Sequence, residues 1–261
     1  MGTATINGEL WGVRARDWAV LQEEQHREAY VAVLERLGVG EGMRLLDVGC
    51  GSGLAAQLAA ARGAAISGID ASAALLAIAR ERTPEGDFRT GEIEELPFAD
   101  SSFDVVTGFN SFQYAADVGR ALREAQRVVR PTGAVVLLTW GPPDGMPAAS
   151  VVAALRPLMP PPPPGAPGPF ALSGDNTLRE LVAANGLKAE LVADVHTAFA
   201  YPDLDTGVRA LNSSGVAERA SRHAGVDAVA AAHRAVLATF VNAVGEVRVP
   251  AVFRFVVARK A

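Results

Sequence analysis

Residues 45–53 read LLDVGCGSG, an apolar run broken by one aspartate and followed by glycines at positions 49, 51 and 53. Glycines at alternate positions clear side chains away, so a ligand can lie against bare N–H groups where a strand hands over to a helix. Asp47 sits inside the apolar run, where an unpaired charge is costly. Asp70 ends the next apolar run, AISGID (65–70), and a carboxylate there is suited to accept two ribose hydroxyls. Two ligand classes use such a turn. A dinucleotide fingerprint is G-x-G-x-x-G, whereas Gly49, Gly51 and Gly53 give G-x-G-x-G, with Leu54 at the third dinucleotide position. Asp70 serves either scheme, and a tight strand-to-helix turn with no ligand is the third possibility.

These residues need elements to hold them. RLLDVG (44–49) reads as a buried strand and LAAQLAAAR (54–62) as an Ala-rich helix stopped by Gly63. AISGID is the second strand, Ser72 to Arg82 a helix closed by Pro84, and DFRTG (87–91) a short third strand. FDVVTGF (103–109) and GAVVLLTW (133–140) are the fourth and fifth. The helix between them has Asp117 to cap it and a stripe of Val118, Ala121, Leu122, Ala125, Val128 and Val129, with Pro131 beyond its end. Strands alternating with helices imply right-handed crossovers and a parallel, doubly wound α/β sheet.

Upstream, residues 17–37 show helical spacing, with Trp18, Leu21, Tyr30, Val33, Leu34 and Leu37 near one face. Residues 157–169 hold eight of the sixteen prolines and should form a polyproline II-like surface connection. TLRELVAANGL (177–187) is a helix with a glycine stop, and 188–199 and 249–259 alternate like an antiparallel pair. Between those strands, Val229, His233, Val236, Leu237, Phe240 and Val244 lie at helical spacing. The expected organisation is a helical lid over 1–42, an α/β core over 43–200 and 247–261, and a helical cap over 201–246.

Composition narrows the function. The chain has 261 residues, 49% apolar and 20% charged, with a formal net charge of −5 and no long Lys/Arg run to track a phosphate backbone. A nucleic-acid partner is therefore not expected. Nor is a membrane, because VVLLTW (135–140) is too short to cross one. The one cysteine, Cys50, excludes an internal disulfide and suits a reducing compartment. The N-terminus lacks a secretory pattern, so a cytoplasmic location is the expectation. No metal-ligating set is expected, and oligomeric state is not readable.

Taken in order, LLDVGCGSG, GID, TGEIEELPFADSSFDVV and VGRALREAQRVVRPTGAVVLLTW resemble the motifs of class I S-adenosylmethionine-dependent methyltransferases of the small-molecule kind, over about residues 40–140. The resemblance implies a Rossmann-like, mostly parallel seven-stranded sheet whose last strand is antiparallel, with a helical cap inserted near the C-terminus. It implies S-adenosyl-L-methionine as cofactor and S-adenosyl-L-homocysteine as product. On the family pattern, Gly49, Gly51 and Gly53 belong to the loop where the cofactor's methionine part approaches the backbone. Asp47 would hold loop N–H groups or the cofactor amino group, and Asp70 the ribose hydroxyls. Ala71 would border the adenine, Glu92 (where the family more often has Asp) and Ile93 would lie against it, and Asn110 would meet the methionine end.

Methyl transfer from a sulfonium is an in-line displacement that alignment and water exclusion can largely accelerate, so no catalytic residue need be conspicuous. A hydroxyl acceptor would gain from a base; His26, His196, His223 and His233 are the histidines available. Trp11, Trp18, Tyr30, Gln113 and Tyr114 are candidate contacts for a small, largely apolar acceptor. Cys50 has no cationic neighbour in sequence and is not read as a nucleophile. The competing readings are a nicotinamide-dependent oxidoreductase, disfavoured by Leu54 and the LPF and FDVV segments, a non-methylating rearrangement on the same cofactor, and a binding module without catalysis.

Overall fold

The computed structural model describes residues 3–161, 169–174 and 176–261. The N-terminal segment winds through α1 (Ala4–Gly12), α2 (Ala15–Asp17) and α3 (Arg27–Arg36). The expected helix over 17–37 is helical throughout but not one helix: Trp18–Gln22 is a wide π-type turn and Glu23–His26 a tight 3₁₀ turn before α3 begins. The change of pitch resets the facing of each side chain, which lets Trp18 and His26 meet the core from different turns.

From Arg44 the alternation read from the sequence appears in order: β1 (Arg44–Val48), α4 (Leu54–Ala60), β2 (Ala65–Asp70), α5 (Ala73–Arg82), β3 (Asp87–Thr90), β4 (Phe103–Phe109), α6 (Val118–Val128) and β5 (Val129–Trp140). Asp117 caps α6 by accepting the Arg120 N–H at 2.9 Å, and Ala121, Leu122, Ala125 and Val128 face the core. Val129, assigned to the helical stripe by its spacing, instead opens β5, four residues ahead of the expected Gly133. The chain continues through α7 (Ala148–Ala154), α8 (Thr177–Ala183), β6 (Leu187–Tyr201), α9 (Leu204–Leu211), α10 (Gly215–Ala224), α11 (Val226–Ala238) and β7 (Val247–Lys260). Most of the proline-rich stretch, 162–168, lies outside the described residues. Val244 falls beyond the end of α11 and is 78% exposed, so the helical pattern runs out earlier than its spacing suggests.

The seven strands form one sheet in the order β3-β2-β1-β4-β5-β7-β6, with β7 antiparallel to both of its neighbours and the other described pairings parallel. One face packs on α3, α4, α7, α9 and α11, and the other on α6 and α8. Strand order reverses between β1 and β4, and in open α/β sheets that reversal opens a crevice at the carboxyl ends of the strands. The register Asp47↔Thr107 sets the two side chains that sit beneath it.

Gly53 begins α4 at φ +81°, and a Cβ there would come within 2.8 Å of the Ala79 Cβ on α5. The substitution Gly53→Ala should therefore destabilise the fold by about 1–3 kcal/mol, from left-handed strain and the clash. Urea unfolding against the parent chain measures this, and an unchanged midpoint would contradict it.

Candidate active site

The turn after β1 is held by main-chain and carboxylate bonds rather than by side chains of its own. The Gly49 and Cys50 N–H groups donate to the Ile69 carbonyl at 2.8 and 3.0 Å. Gly51 N–H donates to Asp70 Oδ2 at 2.9 Å, and Ser72 N–H to Asp70 Oδ1 at 2.8 Å. The Ala71 N–H also acts on this carboxylate, which leaves part of its acceptor capacity free. Asp47 does not hold the loop, contrary to one expectation; its Oδ1 accepts from Thr107 Oγ1 at 2.8 Å, as the β1–β4 register dictates.

The three glycines are bare for different reasons. A Cβ at Gly49 would stand 2.3 Å from the Ser111 Cβ, and one at Gly53 would strike Ala79, so both serve close packing. Only Gly51 turns its open side outward: a Cβ there would lie 3.3 Å from Glu23 Oε1 and 3.9 Å from Trp18 Nε1. Asn110 follows β4 in the left-handed conformation, at φ +54°. Its side-chain amide is buried with neither polar atom hydrogen-bonded. A buried polar group left unpaired costs roughly 1–3 kcal/mol, and such groups point to a ligand.

Glu23, unremarkable in sequence, is 3% exposed and closes this crevice. Its carboxylate accepts from Ser52 Oγ at 2.5 Å and pairs with Arg82, which also donates to the Ala19 and Ser52 carbonyls at 2.7 and 3.0 Å. An EE pair on a helical stretch reads as a solvated face, so sequence spacing gave no sign of it. Burial raises the carboxyl pKa of Glu23, Asp47 and Asp70 alike, with Asp47 pushed to about 7. For Asp47, desolvation is the first cause, followed by the opposing bond from Thr107 and then repulsion from Glu23 and Asp70. Cys50 is buried, with its thiol pKa pushed well up by desolvation and these same carboxylates, so it is not a nucleophile.

The N-terminal segment covers the outer end of the crevice. Gly8 of α1 rests on Ala71, where a Cβ would approach the Ala71 carbonyl oxygen to 2.4 Å. Glu92 accepts the Ala4 N–H at 3.0 Å through Oε2 and the Ile93 N–H at 3.0 Å through Oε1. Thr3 Oγ1 donates to the Tyr114 carbonyl at 2.9 Å. A glycine inside a helix was the available signal for this close approach.

An aromatic cluster fills the space between that segment and the ends of β4 to β7. Trp11 meets Trp18 edge-on at 4.7 Å and Tyr114 at 5.7 Å. Tyr30 stacks on Phe109 at 4.7 Å, and Trp140 on its strand partner Phe253 at 5.0 Å. Gln113 is half-buried beside Tyr114 on the short turn Phe112–Tyr114. His196 and His223 are exposed, and His233 is buried with Nδ1 2.6 Å from Asn212 Oδ1, so the structure places all three apart from this cluster. His26 lies inside it.

Comparison with known proteins agrees with this geometry. Residues 46–137 match the model of the methyltransferase domain family. The chain is 37% identical over 116 residues to malonyl-[acyl-carrier protein] O-methyltransferase of Erwinia pyrifoliae, covering 44% of each chain. It is 33% identical over 132 residues to demethylmenaquinone methyltransferase of Renibacterium salmoninarum, covering 51% of this chain and 56% of the relative. The core of this chain is a class I S-adenosylmethionine-dependent methyltransferase domain. The chain spans about half the length of these curated relatives. Its fold also matches the [4+2]-cyclase SpnF, with TM-score 0.56 and 23% identity over 90% of this chain and 81% of that one.

S-adenosylmethionine is the cofactor of such a domain, and the residues here fit it. The crevice offers a bare main chain at Gly51, the unpaired Asn110 amide, and a surplus of carboxylate that suits a cationic ligand.

The methyltransferase domain alone has a measurable signature. An Asp47 carboxyl near pH 7 binds a proton more tightly folded than unfolded, so its contribution to stability is full below about pH 4 and lost as pH rises through 7. Asp47→Asn should stabilise the protein at pH 8 by about 1–3 kcal/mol and have little effect below about pH 4. Urea melts at the two pH values decide it; equal effects at both would show that Asp47 is not strained.

Proposed function

We propose that the protein transfers a methyl group from S-adenosylmethionine to a small, flat, largely apolar acceptor. The observation that carries this is the buried, unpaired Asn110 amide, one residue beyond β4 at the reversal point of the sheet. In this reading Asn110 meets the methionine end of the cofactor beside Gly51, and the free acceptor sites of Asp70 take the ribose hydroxyls. Ala71 and Ile93 border the adenine, and Glu92 meets its amine. Gly49 and Gly53 shape the loop, and Asp47 stabilises positive charge from below.

When bound, the cofactor supplies an electrophilic methyl on a sulfonium, whose departure leaves a neutral thioether. The chain's part is alignment and exclusion of water. Trp11, Trp18, Tyr30, Gln113 and Tyr114 form the acceptor side, and the aromatic faces suit both a sulfonium and a planar ring. The lid of residues 1–42 must lift to admit the cofactor, because α1 lies on Ala71 and Glu92. The cap of residues 201–246 holds that lid from the other side, with the Trp11 indole packed on Gly215, where a Cβ would come within 2.6 Å. The demethylmenaquinone methyltransferase named above, whose name gives a quinone as acceptor, supports this reading of the acceptor class.

Calorimetric titration with S-adenosylmethionine and with a nicotinamide dinucleotide tests the ligand, and formation of S-adenosylhomocysteine over an acceptor panel tests the transfer. Nicotinamide binding alone, or no product with any acceptor, would refute the proposal. Asp70→Ala should weaken cofactor binding by about 1.5–3 kcal/mol through lost charge-assisted bonds; an unchanged dissociation constant would mean the ribose is held elsewhere. Because a cationic ligand favours ionised Asp47, affinity should rise with pH up to about 7 and then level off. Calorimetry in buffers of different ionisation enthalpy should register proton release near pH 6, and none in Asp47→Asn.

A further inference from the structure

His26 is buried at 5% exposure, and its Nδ1 lies 3.2 Å from the Gln22 carbonyl and 3.3 Å from the Glu23 carbonyl. Carbonyls only accept, so Nδ1 carries the hydrogen and Nε2 the lone pair. Among the described residues Nε2 has no hydrogen-bond partner. Its ring is surrounded by Phe253 at 5.2 Å, Phe199 at 5.6 Å, and Trp18 and Tyr30 at 5.9 Å. Two of those neighbours lead to the crevice: Trp18 reaches toward Gly51, and Tyr30 stacks on Phe109, which precedes Asn110. The imidazole thus stands between the glycine loop, the end of β4 and the middle of β7, the one basic nitrogen among the rings that surround it.

We propose that His26 is the base that takes the proton of an acceptor hydroxyl, which makes the acceptor a phenol or enol and the product a methyl ether. This rests on the methyl-transfer reading above. The acceptor O–H bond breaks and its proton goes to the Nε2 lone pair. An oxygen lone pair forms the O–CH₃ bond, and the carbon–sulfur pair returns to sulfur. Positive charge moves from sulfonium to imidazolium, so the net charge of the closed site is unchanged, and the proton leaves when the lid opens.

The surroundings permit that shift. Desolvation lowers the His26 pKa to about 4, so the lone pair is free at neutral pH before acceptor binds. The Gln22 and Glu23 carbonyls that face Nδ1 favour the imidazolium, and the Glu23 carboxylate itself is paired with Arg82 of α5. The other titratable neighbours are Tyr30 of α3 and Tyr201 of β6, both kept protonated by burial, the latter bonded to Gln22 Oε1 at 2.7 Å. β7 presents Phe253.

The test uses the whole chain with a series of phenols and naphthols of graded acidity. In His26→Phe and His26→Gln, kcat should fall about a hundred- to a thousandfold for weakly acidic phenols. It should fall far less for strongly acidic ones that ionise unaided, while affinity for S-adenosylhomocysteine stays within about twofold of wild type. His223→Gln, on the exposed face of α10, should behave as wild type. Without cofactor, nitrogen NMR of histidine-labelled protein should show the His26 Nε2 resonance shifting with naphthol but not with its methyl ether. Wild-type kcat in His26→Phe, equal loss across the acidity series, or an unmoved resonance would overturn the proposal. Methylation of amines or carbon acids but of no phenol would overturn it and leave methyl transfer standing. No product with any acceptor would overturn the transfer reading and this inference together.

Discussion

Three buried carboxylates, from Glu23, Asp47 and Asp70, converge on one glycine loop, and burial makes each reluctant to ionise. Arg82 is the guanidinium that pairs with one of them; among the described residues Asp47 has a threonine hydroxyl as its partner, and Asp70 main-chain N–H groups. A fold seeking stability alone gains nothing from this, since Asp47 and Asp70 each either hold a proton or bear a charge that no cationic side chain among the described residues balances. The arrangement is economical only if a cation completes it. A sulfonium with an α-ammonium is such a ligand, and its product has lost the sulfonium charge, so the electrostatics that favour binding also favour exchange after transfer.

That constraint explains the position of the N-terminal segment. Glu23 reaches the loop where the winding passes from the wide turn of Trp18–Gln22 to the tight turn of Glu23–His26, which places Trp18 and Glu23 beside Gly51. The same segment is fastened elsewhere: Gly8 on Ala71, Trp11 on Gly215, and Asp17 to Arg209 of α9 at 2.5 Å. Contacts at the loop, the core and the cap therefore belong to one piece of chain. Movement of that piece would expose the loop and the aromatic cluster together.

The parts of the fold legible in sequence were those set by local periodicity. The β4 limits and the sequence from β1 to α6 follow from apolar runs broken by glycine and by capping residues such as Asp117. Errors fell where two local preferences compete: Val129 suits a stripe or a strand, and the pull of the β4–β5 ladder decides for strand. Of the candidate site, Gly51 and Asp70 stood out in the sequence because glycine freedom and a strand end leave a mark in the chain, whereas Asn110 came only from the family resemblance. The distinct reasons for Gly49 and Gly53 were not, because each depends on a partner far off in sequence, Ser111 or Ala79.

By itself, then, the sequence determined the alternation of strand and helix, the place of the glycine turn, and the carboxylate that ends β2, since these depend on residues within a turn or two of one another. Only the tertiary structure decided that Asp47 answers to Thr107 rather than to the loop, that Glu23 is a buried partner rather than a solvated charge, and that His26 alone of four histidines lies among the aromatic rings. Those outcomes turn on sheet register and on how the N-terminal segment packs, where burial and distance are set by residues remote in the chain.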